Sequence, residues 1–366
     1  MPSRAAGAVQ LLLCCLLMPS IAPLAAQEYA PDVRDHMGKF GEFAAALESS
    51  EDTTDRRDAY RRYIASSDPA VHETFVNPDA LPDEHFDKLS NLIVEHDEAI
   101  RDYHQFIRTQ LVTATSDAER IFGKMVYSVP QHLTLNLGQS NAQVRLIDGK
   151  VTILYGIDTN AVLESRLFPN TSRDLRPTIA HELFHAYHWH VNPYMAEWAP
   201  RFLPPESDAP LWINIWSEGL ANCAARHVYP DSDIAHVMAI EGIWQEAQPR
   251  MAELSARLGD VLDARDAKTT ETWLYVHAER TDGIPNKAGY TLGTVVAHQI
   301  IGKRGFDAAV RLGEEDLRLA IGESLSDMAA GKVDVGGGAV CRPSSNGIQH
   351  RSRRIPGTEN GNEGDQ

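Results

Sequence analysis

The run His181-Glu182-Leu183-Phe184-His185 decides how this chain of 366 residues is interpreted. Its neighbours carry apolar residues at helical spacing, and residues four apart in a helix lie on one face, one turn apart. Both imidazoles can therefore bind one zinc ion, while Glu182 leaves that face at an angle from which it can reach a metal-bound water. Two neutral nitrogen ligands, an open coordination position and a carboxylate base are what a zinc hydrolase requires.

A third zinc ligand is predicted at Glu218. The segment from Asp208 to Tyr229 is predicted to form a second helix, with Asp208 as N-cap, Pro210 in the first turn and Pro230 after its end. Beside the first helix, it could aim Glu218 at the metal and complete a site of two histidines and one glutamate, with water as fourth ligand. Taken alone, Glu218 is more simply an exposed helical carboxylate, but the preceding HExxH run favours the ligand interpretation.

The motifs resemble those of a known group of enzymes. HExxH followed some tens of residues later by Glu-x-x-Ala, here Glu218 to Ala221, resembles the gluzincin zinc metallopeptidases. Residues from about 130 to 300, with Gly289-Tyr290-Thr291-Leu292-Gly293 near the end, are also similar to bacterial zinc-dependent proteases of uncharacterised function. The resemblance implies a zincin-like catalytic core.

The resemblance also assigns roles to residues. It implies that His181, His185 and Glu218 bind zinc and that Glu182 is the general base. Many gluzincins carry an aspartate four residues after the glutamate ligand, which orients the first histidine, whereas this chain has Asn222 there. Its amide oxygen could accept the second N–H of the histidine, but a neutral group raises the basicity of the ligand less than a carboxylate does.

Other zinc classes can be compared directly with the chain. A metzincin needs a glycine and a third histidine at the positions that His188 and Val191 occupy, so that class is excluded. His188 lies on the stripe of His181 and His185, and it could be a substitute ligand or a hydrogen-bonding partner. A pocket-lining or surface histidine is the simpler interpretation, because two turns of helix carry it far along the axis. His190 is predicted to be solvated.

Hydrolysis also needs a donor that stabilises the tetrahedral oxyanion. Tyr290, at the start of a predicted helix, is the first candidate, and an aromatic core residue is the alternative interpretation of it. His298 is the second candidate, and His277 and Tyr275 are further options.

The fold class predicted is α+β, mostly α. A helical N-terminal region, residues 27 to 128, includes a helix from Pro82 to Leu111 with an apolar stripe. Alternating residues then predict strands at 133–137, 144–147 and 151–155, with Asp148-Gly149 as a hairpin turn. They predict a small antiparallel sheet before the active-site helix, which either binds an extended peptide at its edge or only covers the core.

The N-terminal sequence and the net charge indicate where the protein is located and which partners it can bind. Arg4 and an apolar stretch up to Ala26 predict a signal peptide over residues 1 to 26, and hence a secreted or periplasmic protein without stable membrane insertion. The formal charge is −17, and loss of Arg4, the only charge in the leader, makes it −18. So acidic a chain is a poor partner for nucleic acid.

The remaining segments complete the predicted organisation. Residues 129 to 330 form the metallopeptidase domain, and the glycine-rich residues 331 to 366 a disordered tail. Cys223 and Cys341 remain after leader removal, and a disulfide and a buried free thiol are both open. The predicted function is zinc-dependent hydrolysis of a peptide or protein substrate. The alternatives are a secreted non-catalytic zinc-binding protein and a zinc hydrolase of a non-peptide amide.

Overall fold

Helices surround one small sheet in the computed structural model, which describes residues 30–75, 79, 81–138, 140–167, 174–198, 208–238, 242–276, 282–333, 336 and 338–343. The predicted signal peptide lies outside these residues. The described chain is mostly helical, so the α+β, mostly α class is confirmed at that level. In chain order the helices are α1 Phe40–Glu48, α2 Thr53–Ala65, α3 Pro69–Phe75, α4 Asp83–Glu95, α5 Asp97–Phe122, α6 Ile157–Leu167, α7 Arg176–Val191, α8 Pro193–Trp198, α9 Leu211–Val228, α10 Ile234–Val237, α11 Ile243–Ala247, α12 Met251–Asp260, α13 Ala267–Leu274, α14 Ala288–Arg304, α15 Phe306–Val310 and α16 Glu314–Ala329.

The sheet is mixed, which corrects the antiparallel prediction. Its strands are β1 Val33–Asp35, β2 Gln131–Thr134, β3 Ala142–Ile147 and β4 Lys150–Gly156, in the order β1-β2-β4-β3. Only β3 and β4 are antiparallel, while β1 and β4 both run parallel to β2. The reason is that β4 returns from the hairpin into the place between β2 and β3. It therefore regains the direction of β2, and β3 becomes the edge strand.

Two turns define this sheet. Asp148 and Gly149 both have positive φ, at 50° and 73°, which confirms the predicted two-residue hairpin. The strand predicted to run on to residue 137 instead ends at Thr134. The chain turns there because the Asp158 carboxylate accepts the backbone N–H groups of Asn136 at 2.9 Å and Gly138 at 3.1 Å.

The helix predicted from Pro82 to Leu111 is two helices, α4 and α5, and this corrects the prediction. His96 breaks the run with φ −110° and ψ 21°. Asp97 and Glu98 then stand in the first turn of α5, where negative charge favours a helix start. The predicted stripe is nevertheless buried along both helices, and α5 packs along α7, the helix that carries the HExxH run.

Three histidines join the N-terminal helices to the sheet. The His36 Nε2 and His132 Nδ1 atoms are 2.8 Å apart, and the His72 Nε2 lies 2.8 Å from the Ser67 Oγ. His72 and His132 are both buried. Burial lowers the pKa of each to about 4, and the nearby His36 adds to the effect. Both rings are therefore neutral in the folded protein at pH 7.

We expect the free energy of unfolding to fall as pH drops from about 6.5 to about 4. In this range the unfolded chain binds protons on His72 and His132 that the folded chain does not, so stability increases with pH. A shift of that size corresponds to roughly 3 kcal/mol for each histidine. Urea unfolding at pH 7.5 and 5.0 measures the slope. His72→Gln keeps a polar group facing Ser67 but cannot be protonated, so the free energy of unfolding of this variant should depend less on pH. A variant with the same pH dependence as the wild-type protein would contradict the role given to His72.

The C-terminal part of the described chain is held in the core. A disulfide joins Cys223 in α9 to Cys341, with Cα atoms 4.8 Å apart, and so resolves the alternatives that the sequence left open. The Arg226 guanidinium donates to the carbonyl oxygens of Val340 at 2.7 Å and Gly338 at 3.3 Å. Val340 and Cys341, which belong to the segment predicted as a tail from residue 331, are therefore buried, and residues 344 to 366 lie outside the described chain.

None of the helices in the described ranges has the length and apolar character that crossing a bilayer requires.

Candidate metal centre

The first two site residues lie on α7, and polar contacts fix both of its ends. The Asp174 carboxylate accepts the backbone N–H of Arg176 at 3.1 Å, and Pro177 occupies the first turn, where its missing N–H costs nothing. At the other end the Asn192 side-chain amide donates to the carbonyl oxygens of Val310 and Leu312, at 2.9 and 3.0 Å. The helix is buried along most of its length, so His181 and His185 are presented inside the protein.

The third site residue lies on α9, whose start differs from the prediction. The N-cap is Pro210 rather than Asp208, because Pro210 is extended, with φ −62° and ψ 147°. The free N–H groups of the first turn, on Leu211 and Trp212, donate to the backbone carbonyls of Ala264 and Leu262 at 2.8 and 3.0 Å. A neighbouring loop thus does what an N-cap side chain was predicted to do.

The side chains of His181, His185 and Glu218 meet in one place and could hold a metal ion, so together they form the metal-binding group of the protein. The two Nε2 atoms are 3.0 Å apart, and Glu218 carboxylate oxygens lie 3.2 Å from the His181 Nε2 and 3.7 Å from the His185 Nε2. Two ligands about 2.05 Å from a tetrahedral metal are about 3.3 Å apart. The three observed separations bracket that value.

The far nitrogens of both rings are already hydrogen-bonded. The His181 Nδ1 lies 3.0 Å from the Asn222 Oδ1, and the His185 Nδ1 lies 3.2 Å from the Ser217 Oγ. The Asn222 Oδ1 can only accept, so the His181 Nδ1 carries the proton and its Nε2 presents a lone pair. With a proton likewise on the His185 Nδ1, two lone pairs face each other beside a carboxylate. Such an arrangement is stable when a cation lies between them.

Ser217 was not predicted from the sequence. In the sequence, the only indication of a role for Ser217 is its position directly before Glu218, on a helix that faces α7. It is buried, and its hydroxyl orients the second histidine as Asn222 orients the first.

Asn222 is itself oriented by a third helix. Its Nδ2 donates to the Thr294 Oγ1 at 2.9 Å, and the Thr294 hydroxyl donates to the Tyr290 carbonyl oxygen at 2.6 Å. Because the Nδ2 group of Asn222 is hydrogen-bonded to Thr294, the Oδ1 atom of the same amide faces His181. The contacts form a chain from α7 through α9 to α14.

Replacing Asn222 by Ala should lower the metal affinity by about 10- to 100-fold, the usual effect of losing an outer partner of a metal-bound histidine. Competition with a chromophoric chelator measures this affinity. Asn222→Asp keeps an acceptor for His181 and is the matched control. An Asn222→Ala protein with wild-type affinity would show that the contact does not support the site.

Glu182 lies beside the metal-binding group without belonging to it. Its side chain is buried, at 8% exposure for the residue. Burial raises the pKa of the Glu182 carboxyl and Glu218 adds to the rise, while His181, His185 and Lys287 oppose it. A buried carboxylate of raised pKa is a better proton acceptor than one in water.

Among the predicted oxyanion donors that the structure describes, Tyr290 is the one that hydrogen-bonds to a residue of the metal-binding group. Burial raises the pKa of its hydroxyl, and electrostatic interaction and a hydrogen bond with Glu218 add to the rise. Tyr275 is 40% exposed and interacts electrostatically with Glu218. His298 points elsewhere, since its Nδ1 accepts the backbone N–H of Cys341 at 3.0 Å. His277 lies outside the described residues.

The other two histidines of α7 do not join the group. His188 is fully buried, and its ring centroid lies 5.2 Å from that of Phe184. Burial lowers its pKa to about 3, with a smaller contribution from His185, so it is a neutral core residue. It is neither a ligand nor a surface histidine. His190 is exposed, as predicted.

Close helix packing fixes the distance between Glu218 and Tyr290. A Cβ atom at Gly219 would overlap the backbone of Gly293, and one at Gly293 would overlap the carbonyl oxygen of Ile215. Only glycine lets the α9 and α14 backbones approach this closely. The carboxylate and the phenol therefore project from two helices in backbone contact.

Comparison with protein-family models, with curated proteins and with solved structures finds no match for this chain.

Proposed function

We propose that the protein is an exported zinc-dependent peptidase that acts on peptides or proteins. The observation that carries the proposal is the pair of histidine Nε2 atoms 3.0 Å apart, with a carboxylate facing both and their outer nitrogens already hydrogen-bonded. Two imidazole nitrogens and one carboxylate oxygen are the ligands of catalytic zinc sites that leave a fourth position open.

The donor set supports zinc as the metal. Imidazole nitrogen suits zinc and its transition-metal neighbours, whereas magnesium and calcium prefer oxygen ligands alone. Structural zinc sites are usually closed by four protein ligands, often cysteines, and here three ligands meet beside an unused glutamate. An open site next to a buried base favours a catalytic role.

Separate residues of the site would bind the metal, transfer the proton and stabilise the oxyanion. Zinc held by His181, His185 and Glu218 would lower the pKa of a bound water and polarise the scissile carbonyl. Glu182 would accept the proton of the attacking water and pass it to the leaving amine. The Tyr290 hydroxyl would donate to the oxyanion, a contribution typically worth about 2.7–4 kcal/mol.

The surroundings of the site support an extended substrate. Strand β3 is an edge strand that packs on α7, so its outer side could pair with a peptide backbone. Leu146 on this strand and Tyr275 and Val276 after α13 are large apolar side chains with 38%, 40% and 55% exposure. Of these, Tyr275 lies within electrostatic range of Glu218, and an exposed aromatic ring there favours a ligand with apolar groups of its own.

The disulfide supports an exported protein. Stable disulfides form in the periplasm and outside cells and are rare in the cytosol. The bond between Cys223 and Cys341 agrees with the signal peptide predicted from the sequence.

The test is metal-dependent hydrolysis. Purified protein should contain one zinc per chain by mass spectrometry and should cleave members of a quenched fluorescent peptide library. Removing the metal with 1,10-phenanthroline should abolish cleavage, and adding zinc should restore it. A protein that holds zinc and cleaves no peptide would overturn the proposal in favour of a binding protein or a hydrolase of another amide.

A further inference from the structure

Arg145 is a partly buried cation on the edge strand β3. Its guanidinium donates to the Val144 carbonyl oxygen at 3.3 Å and to the Gln143 side chain, both on its own strand. In the described ranges no carboxylate lies within ion-pair distance of it. The residue is half-buried, and this burial lowers its pKa to about 10. A withdrawn cation whose hydrogen-bond partners are neutral is costly, and a negative charge in direct contact would offset that cost.

The position of Arg145 links it to the metal-binding group. Strand β3 packs on α7, and Arg145 interacts electrostatically with Tyr275 and Glu182. Tyr275 also interacts electrostatically with Glu218, so it is close enough to act on both the guanidinium and the metal ligand. Arg145 therefore lies within electrostatic range of the metal-binding group, on a strand that packs on the helix of His181 and His185.

A second cation, Lys287, lies at the same site, as the N-cap residue of α14. The Lys287 Nζ is 4.5 Å from the ring centroid of Tyr290, and its charge also acts on Glu182. The backbone N–H of Lys287 donates to the Tyr275 carbonyl oxygen at 3.4 Å, so the two residues are linked through their backbones. Two cations thus flank the site in a chain of net charge −17. The overall charge repels anions at long range, so these cations act locally and select how a bound anion is placed.

We propose that Arg145 binds a carboxylate of the substrate, supplied either by a free C-terminus or by an acidic side chain close to the scissile bond. This inference rests on the proposed function and adds the substrate class to it. A guanidinium presents parallel N–H donors that match a carboxylate, which a single ammonium cannot do. The bound carboxylate would replace the missing counter-ion of Arg145 and place a nearby peptide bond over the metal-binding group.

The two sources of the carboxylate predict different substrates. If Arg145 binds a free C-terminus, cleavage is confined to bonds near the end of a peptide. If it binds a side chain, cleavage occurs inside chains beside Asp or Glu. In both cases removal of the negative charge weakens binding.

Binding can be measured without turnover in zinc-loaded Glu182→Gln protein by isothermal titration calorimetry. One pair of peptides without acidic residues differs only in a free or amidated C-terminus. A second, amidated pair carries either one Glu or one Gln at the same position. We expect the charged member of one pair to bind at least about tenfold more tightly, which corresponds to about 1.4 kcal/mol. The pair that shows the difference identifies the source.

Variants of Arg145 assign the preference to this side chain. Added to Glu182→Gln, Arg145→Gln should bring the affinity ratio of the charged and neutral peptides close to 1, while Arg145→Lys should keep part of the preference. Lys150→Gln, which removes an exposed cation from the same hairpin, is the matched control and should keep the full ratio. A purely structural role for Arg145 would weaken charged and neutral peptides equally and would overturn the inference.

The outcomes separate this inference from the proposed function. If wild-type protein cleaves peptides but the Glu182→Gln protein binds the charged and neutral members of both pairs equally, the inference about Arg145 is wrong and the proposed function stands. Zinc-loaded wild-type protein that cleaves none of the peptides would sink the proposed function, and the calorimetric ratio would still decide whether Arg145 binds carboxylates.

Discussion

Glu182→Gln should lower kcat for peptide hydrolysis by about 10²- to 10⁴-fold and leave zinc bound. The amide cannot accept a proton from water, and general-base catalysis is typically worth that factor. It nearly preserves the shape and volume of a side chain that is 8% exposed, so the core should repack little. Steady-state kinetics on a peptide that the wild-type protein cleaves, with zinc content measured on the same sample, gives both quantities.

The control for this substitution is Glu323→Gln. Glu323 lies on the exposed face of α16, so the same loss of one charge occurs away from the metal-binding group. Near-normal turnover in zinc-loaded Glu182→Gln protein would rule out the role given to Glu182. Loss of zinc together with activity would instead show that Glu182 supports the metal directly.

Glu218→Ala should lower the zinc affinity by more than about 100-fold. Losing an outer partner of a ligand costs up to that factor, and Glu218 faces both histidines directly at 3.2 and 3.7 Å. Alanine leaves two imidazoles to hold the ion, and two ligands do not form a stable tetrahedral site. Chelator competition measures the affinity, and circular dichroism reports whether the helices persist.

Glu182→Gln is the matched control for this second prediction. Both glutamates lie beside the same two histidines, yet only Glu218 belongs to the metal-binding group. The two variants should therefore differ, one losing zinc and the other losing turnover. Equal zinc affinity of Glu218→Ala and wild-type protein would remove Glu218 from the ligand set and with it the basis of the proposed function.

Local patterns were enough to predict the parts of the site that lie within one helix. The four-residue spacing of His181 and His185 places both rings on one face wherever the helix packs. Glu218 and Asn222 share the same spacing on α9, and the structure places them against the two histidines. The hairpin at Asp148 was predictable for the same reason, since its signal lies in two adjacent residues.

Features that depend on distant parts of the chain were not predictable in this way. β4 lies between β2 and β3, and no pattern inside one strand encodes which neighbours it pairs with. The start of α9 depends on carbonyl oxygens of Leu262 and Ala264, some fifty residues later in the chain. Arg145 lies within the predicted strand 144–147, and that pattern gave no sign that its hydrogen-bond partners in the described chain would be neutral.

The covalent link between Cys223 and Cys341 sets the smallest protein that could carry the metal-binding group intact. A chain shortened to end with α16 would keep His181, His185 and Glu218 but lose the residues that cover the back of α9. Its Arg226 side chain, now only 1% exposed, would be left without the Val340 and Gly338 acceptors. The shortest chain that we expect to keep the metal-binding group intact therefore extends at least to Cys341, beyond α16.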